Sequence, residues 1–183
     1  MRLRWIFLIF SALLLAGPLR ATEIMGQDDI SPERLADYLL SRNPRAGDHR
    51  TRRLAAIYFQ ECRREGVRPL VAFAQMCQET GHLRFSGAVS RRQNNFCGLG
   101  CCRPGVAGER FPSVRIGVRA HVQHLKAYAS PLPLRSRCVD RNRRWVALGS
   151  VPTVEGLTGR WAMDPHYGDS IVKLMKGIAT RKP

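Results

Sequence analysis

The sequence predicts a mainly α, single-domain protein. Three observations carry that expectation. Several stretches place apolar residues at helical spacing, their ends carry serine, proline and glycine in the order that starts and stops helices, and no internal repeat or low-complexity tract interrupts them. At 183 residues with 44% hydrophobic content, the chain can build one core, and disorder is excluded as its general state.

The elements follow in order. Arg2 and Arg4 precede an uncharged run from Trp5 to Ala16, too short for a comfortable membrane span and matching a secretory signal peptide. Cleavage is expected after Ala21, leaving 22–183 as the folded domain with no stable span. Leu19 and Arg20 depart from a small-residue cleavage site, so an uncleaved N-terminal anchor stays open. Ser31-Pro32-Glu33 then opens a helix to about Asn43, ended by Asn43-Pro44 and Gly47. A second helix, about His49 to Glu65, carries Leu54, Ile57, Tyr58 and Cys62 on one face and arginines elsewhere, with Gly66 as its stop.

Pro69 to Gly81 is the third helix, with Leu70, Phe73, Ala74 and Cys77 on a buried stripe. Gln93 to Cys102, QNNFCGLGCC, reads as a loop, and the weak alternation around Arg110 to Arg115 allows a short hairpin or an extended excursion. Val114 to Ala129 is a fourth helix, in which His121 and His124 are packed or solvated. The prolines of 130–137 mark a connector, Cys138 to Leu148 allows a short helix, and Asp164-Pro165 turns into a last helix from about Gly168 to Thr180.

The formal charge is +16, and removal of Arg2, Arg4 and Arg20 with the signal segment leaves +13 on 162 residues. Such a field implies a polyanionic neighbour. For an exported chain this means cell-wall polymer or a membrane surface before nucleic acid, and no interleaving of aromatic and basic residues typical of single-strand binding appears. Six cysteines (Cys62, Cys77, Cys97, Cys101, Cys102, Cys138) form an even set that favours disulfides in an oxidising compartment, with fifteen possible full pairings. Cys97 is expected to pair with Cys101 or Cys102, whereas Cys62 and Cys77 fit buried helix faces. Zinc held by these cysteines with His82, His121 or His124 is the minor alternative, because no C-x-x-C doublet or H-E-x-x-H is present.

Glu79 is the residue with most chemical promise. It stands in the last turn of an apolar helix, beside Met76 and Gln75, facing the negative end of the helix dipole and some desolvation. Both effects favour the protonated form that a general acid needs near neutral pH. A surface glutamate at a frayed helix end is the bland alternative. Asn94 and Asn95 can either bind their own backbone or bind sugar hydroxyls and acetamido groups.

The ordered series helix-ETG, NNF-x-GLG, F-P-S-x-x-x-G-V-R-A-H-V-Q-H-L-K-A-Y and W-A-x-D-P-x-Y-G-x-x-I resembles the bacterial cell-wall endo-β-N-acetylglucosaminidase family over roughly Ser31 to Ile178. The resemblance implies a lysozyme-like helical domain with a small hairpin or irregular lobe beside the active-site cleft. It also implies cleavage of the β-1,4 bond after N-acetylglucosamine in peptidoglycan without metal or organic cofactor. Glu79 falls where the family keeps its general acid, Tyr167 matches its active-site tyrosine, and Asn94, Asn95 and Phe96 match its substrate-binding NNF segment. The second carboxylate departs from the family pattern, since the lobe after the NNF loop offers only Glu109, with Asp140 and Asp164 in reserve. Trp161 is core or a sugar platform.

The expected protein is therefore an exported, periplasmic or secreted monomer, a peptidoglycan hydrolase held by its charge to anionic wall polymers. A lytic transglycosylase-type muramidase and a non-catalytic basic wall-binding protein are the alternatives.

Overall fold

The computed structural model describes residues 21–87, 89–101 and 106–181; the expected signal segment up to Arg20 and Cys102 lie outside them. Five α-helices carry the described chain: α1 (Pro32–Arg42), α2 (Asp48–Glu65), α3 (Pro69–Thr80), α4 (Val114–Ala129) and α5 (Tyr167–Ala179). Among the described residues β-structure is limited to isolated bridges, two of which tie the N-terminal segment to the body, Glu23 to Thr153 and Met25 to Val67.

The helix ends follow from local chemistry. Ser31 caps α1 by accepting from Arg34 N–H at 3.3 Å, and Ser113 caps α4 by accepting from Ile116 N–H at 3.3 Å. Pro69 occupies the first turn of α3, where its missing N–H costs nothing. Between Pro69 and Cys77 every residue of α3 is buried, as a helix that is apolar on all sides must be. It lies at the centre, packed on α5, α2, α1 and α4. A second apolar cluster of Cys97, Leu99, Phe111 and Ala120 sits beneath the 93–101 loop, with Trp161 against it.

Three elements take a definite form within what the sequence allowed. The last helix begins at Tyr167, which fixes that side chain at a helix start. The short helix allowed in 138–148 is a 3-10 helix at Arg141–Trp145. Of the two forms open to the lobe, 106–113 takes the irregular one. Gln93 Nε2 donates to Gly108 C=O at 2.8 Å and Asn95 Nδ2 to Glu109 C=O at 3.1 Å, so side-chain amides take carbonyls that a strand partner would have used. Two backbone bonds, Glu109 N–H to Leu99 C=O and Phe111 N–H to Gln93 C=O, both 2.8 Å, fasten this irregular lobe to the loop.

Candidate active site

Three elements meet at Glu79: the last turn of α3, the start of α5 and the 93–101 loop. Glu79 is half-buried. The Tyr167 hydroxyl donates to its Oε1, and the Trp161 indole acts on the carboxylate electrostatically, favouring its anion. Over Oε2 lies bare backbone, since a methyl group at Gly98 would stand 3.6 Å from that oxygen. Burial raises the Glu79 pKa; the Tyr167 hydroxyl and the Trp161 indole, both neutral, pull it back in part, and the net direction is up. Burial and the adjacent Glu79 also push the Tyr167 hydroxyl far above its ordinary value, so it stays protonated and acts as a donor.

The same loop also lies against the second predicted carboxylate. Glu109 is half-buried and accepts from Asn142 Nδ2 at 2.9 Å. A methyl group at Gly100 would lie 3.0 Å from Glu109 Cγ, just as one at Gly98 would approach Glu79. Gly98 and Gly100 both have positive φ, +71° and +80°, a conformation that leaves side-chain-bearing residues strained. Their Cα atoms are at most about 7.6 Å apart across two peptide units, so one glycine-rich turn spans both carboxylates.

The NNF segment builds this turn. Asn95 is fully buried and spends its amide on the loop: Nδ2 donates to Leu99 C=O at 2.8 Å, while Oδ1 accepts from Leu99 N–H at 3.1 Å. Asn94 adopts φ 51° and donates to Phe111 C=O at 3.0 Å. Phe96 is buried, with its ring centroid 6.4 Å from Tyr58 and 6.3 Å from Phe85. Both asparagines thus bind loop backbone through their side chains.

Beneath the loop, a methyl group added to Gly117 of α4 would fall 1.7 Å from Asn94 O, a backbone atom that cannot swing away. Gly117→Ala is expected to destabilise the protein by about 1–3 kcal/mol and to lift the loop from Glu79. Denaturant unfolding together with an activity measurement checks this; unchanged stability would mean that the loop does not rest on α4 as described.

The reserve carboxylates have other tasks. Asp140 is buried and accepts from His124 Nδ1 at 2.7 Å and from Asn142 N–H at 2.9 Å, bracketing the 3-10 segment against α4. Asp164 accepts from His166 N–H at 2.9 Å within its own exposed turn. His121 and His124 are both buried, and Trp161 packs on both, with centroid distances of 5.8 and 5.1 Å.

Cys97 is a buried thiol, driven up in pKa by burial and then by Glu79, so the expected staple to it is not formed here. Cys62 and Cys77 are buried thiols, as expected. Among the described residues no three His, Cys, Asp or Glu side chains converge as a metal site requires.

The influence of Trp161 on Glu79, and Gln75, which donates through Nε2 to the Tyr167 hydroxyl at 2.8 Å, were not legible in the sequence. The one signal for Gln75 was its amide four residues before Glu79 in an otherwise apolar helix. On the far side of Phe96 and Asn94 a groove of about 1040 Å³ runs between α2, the 83–96 segment and the start of α4. Leu54, Ile57 and Phe85 line it together with Arg50, Arg53 and Arg91, and it has no acidic lining residue.

Comparisons with known proteins bear on the family and the fold. A family model described as glucosaminidase, mannosyl-glycoprotein endo-β-N-acetylglucosaminidase, matches residues 55–180, a span that includes Glu79, the loop, Glu109, Trp161 and Tyr167. An uncharacterized protein of Borreliella burgdorferi is 40% identical over 143 residues, which are 78% of this chain and 70% of that protein. The crystal structure of S. aureus autolysin E in complex with the muropeptide NAM-L-Ala-D-iGlu aligns with a TM-score of 0.53 at 16% identity, covering 86% of this chain and 70% of that one, and shows the shared fold.

Proposed function

This chain belongs to the glucosaminidase family, and from that premise we propose that it is a peptidoglycan hydrolase cleaving the β-1,4 bond after N-acetylglucosamine, with Glu79 as general acid. The observation that carries the reading is a half-buried carboxylate of raised pKa, held by the neutral Tyr167 hydroxyl and facing glycine backbone. Its protonated form persists to higher pH than that of an ordinary glutamate, and from that form it can deliver a proton to the glycosidic oxygen as the C1–O bond breaks. Glu109, oriented by Asn142, is the carboxylate assigned to the opposite role. As the anion it either takes the proton of an attacking water or stabilises the positive charge that develops at C1. Asn94, Asn95 and Phe96 serve the substrate by shaping the turn that holds both acids.

Digestion of purified peptidoglycan with mass analysis of the fragments tests this. Fragments ending in reducing N-acetylglucosamine are expected. Anhydro-muramic ends, lighter by one water, would assign the chain to the transglycosylases, and wall that is bound but uncut would make it a binding protein.

The basic surface completes the proposal as a means of holding an exported enzyme on anionic wall polymer. Arg50 and Arg53, in the groove beside Asn94, make no ion pair with a carboxylate among the described residues, leaving their charge for a partner. Screening shortens from about 10 Å at 0.1 M salt to about 3 Å at 1 M. Sedimentation with insoluble wall should therefore fall steeply across that range, while turnover of a short soluble muropeptide changes little. Parallel curves would show that the basic surface and the catalytic site do not act separately.

A further inference from the structure

Behind Glu79 runs a row of buried polar side chains that the chemistry above does not use. Gln75 Nε2 donates to the Tyr167 hydroxyl at 2.8 Å, Gln75 Oε1 lies 2.8 Å from His121 Nε2, and His121 Nδ1 lies 2.8 Å from the Tyr58 hydroxyl. Tyr58, Gln75 and His121 are fully buried and Tyr167 nearly so. The row crosses α2, α3, α4 and α5, so it is a tertiary device and no single helix produces it. Unlinked polar groups at such depth would each be costly, and one assignment of hydrogens satisfies every link.

Because the Tyr167 hydroxyl gives its proton to Glu79 Oε1, its oxygen must accept from the Gln75 amide. The amide oxygen then faces His121 and can only accept, which places a hydrogen on Nε2. Nδ1 is thereby left to accept from Tyr58.

We infer that Tyr58, His121 and Gln75 are positioning residues which hold Tyr167 as a donor to Glu79 Oε1 and so leave Oε2, the oxygen over Gly98, to carry the transferable proton. This rests on Glu79 being the acid. The opposite polarity has a distinct cost. With the Gln75 amide reversed, Tyr167 would donate to Gln75, and the proton of Glu79 would be drawn onto the tyrosine oxygen and away from the substrate. Burial keeps the imidazole neutral, its pKa pushed down to about 3 with a small further push from His124, so His121 serves as a fixed relay. The other titratable groups facing this row are Cys97 from the loop, which acts on Tyr58 and Tyr167 and itself feels Glu79, Cys62 and Cys77 beside Tyr58, and His124, paired to Asp140, beside His121.

Nitrogen NMR of the histidines in the intact protein at neutral pH reads the polarity directly. His121 is expected as the Nε2–H tautomer, and an Nδ1–H tautomer overturns the inference. The kinetic arm uses Gln75→Leu. With the donor to Tyr167 gone, kcat is expected to fall about tenfold, the value of one net hydrogen bond, with KM little changed. The basic limb of the kcat profile should also move to higher pH, because Glu79 loses an oriented donor that lowers its pKa. A drop in kcat that merely tracks the folded fraction, with the limb unmoved, overturns the positioning role. Should Gln75→Leu fail to fold, the tautomer still decides. Activity surviving in Glu79→Gln would instead remove the acid assignment on which the inference rests, so the two failures are told apart.

Discussion

Glu79→Gln is expected to fold and to lose wall-degrading activity by at least about a hundredfold, since general acid help contributes on the order of 10² to 10⁴. The amide keeps the shape of the side chain and can still accept from Tyr167, yet it has no acidic proton to release. Stability should move the other way. A folded-state pKa raised above the unfolded value means that the native protein favours the protonated carboxyl, so stability from this group is present at low pH and is lost as pH rises through the folded pKa. The neutral amide avoids that loss, and Glu79→Gln should be at least as stable as the parent at pH 7. Thermal or denaturant unfolding beside a wall-digestion assay gives both readings. An unfolded variant would mark Glu79 as structural, and comparable turnover would remove it from the chemistry.

The fold was largely legible because each helix announces itself locally. Ser31 with Pro32 starts α1, Gly66 stops α2, Pro69 and Gly81 bracket α3, and Val114 to Ala129 emerged with the expected bounds. These signals depend on neighbours within one turn. The 93–113 region does not, since its shape is set by amides of Gln93 and Asn95 reaching carbonyls across the lobe, and no periodicity records such bonds. Alternation around Arg110 therefore left both forms of the lobe open.

The site divides along the same line. Glu79 could be singled out because its helix and its position in the last turn already imply desolvation, whereas Trp161 and Gln75 become partners of the carboxylate only through tertiary packing. Trp161 shows the limit well: a half-buried indole serves equally as core or as a platform, and nothing nearby in sequence announces its influence on a carboxylate at the end of α3. Asn95 shows the converse. Both of its possible roles were visible, and only the folded loop shows the four-residue reach of its side chain to Leu99, from both its donor and its acceptor.

Lys126→Met separates the scaffold from the chemistry. Lys126 is 2% exposed, and its ammonium group donates to Glu65 Oε2 at 3.0 Å and to Pro133 C=O at 2.8 Å. Glu65 is fully buried and also accepts from Arg135 N–H and Ser136 Oγ, so the pair pins the 130–137 connector across α2 and α4. Methionine fills similar space but strands the carboxylate, and breaking a buried pair in this way costs about 3–5 kcal/mol. Burial is the largest single influence on Glu65 and raises its pKa; the Arg135, Ser136 and Lys126 donors together outweigh it, leaving the value below 4.5. The parent's stability from this group is thus present above the ordinary carboxylate range and is lost as pH falls through the depressed value. Without Lys126 the pKa of Glu65 rises, so the deficit of the variant should be largest at neutral pH and should narrow toward pH 4. Adding Glu65→Gln should recover most of it at pH 7. Urea unfolding at the two pH values measures these differences, and a deficit that ignores pH would assign the cost to packing. Because Glu79, Tyr167 and Trp161 lie outside this pair, activity per folded molecule should hold in Lys126→Met, opposite to the pattern of Glu79→Gln.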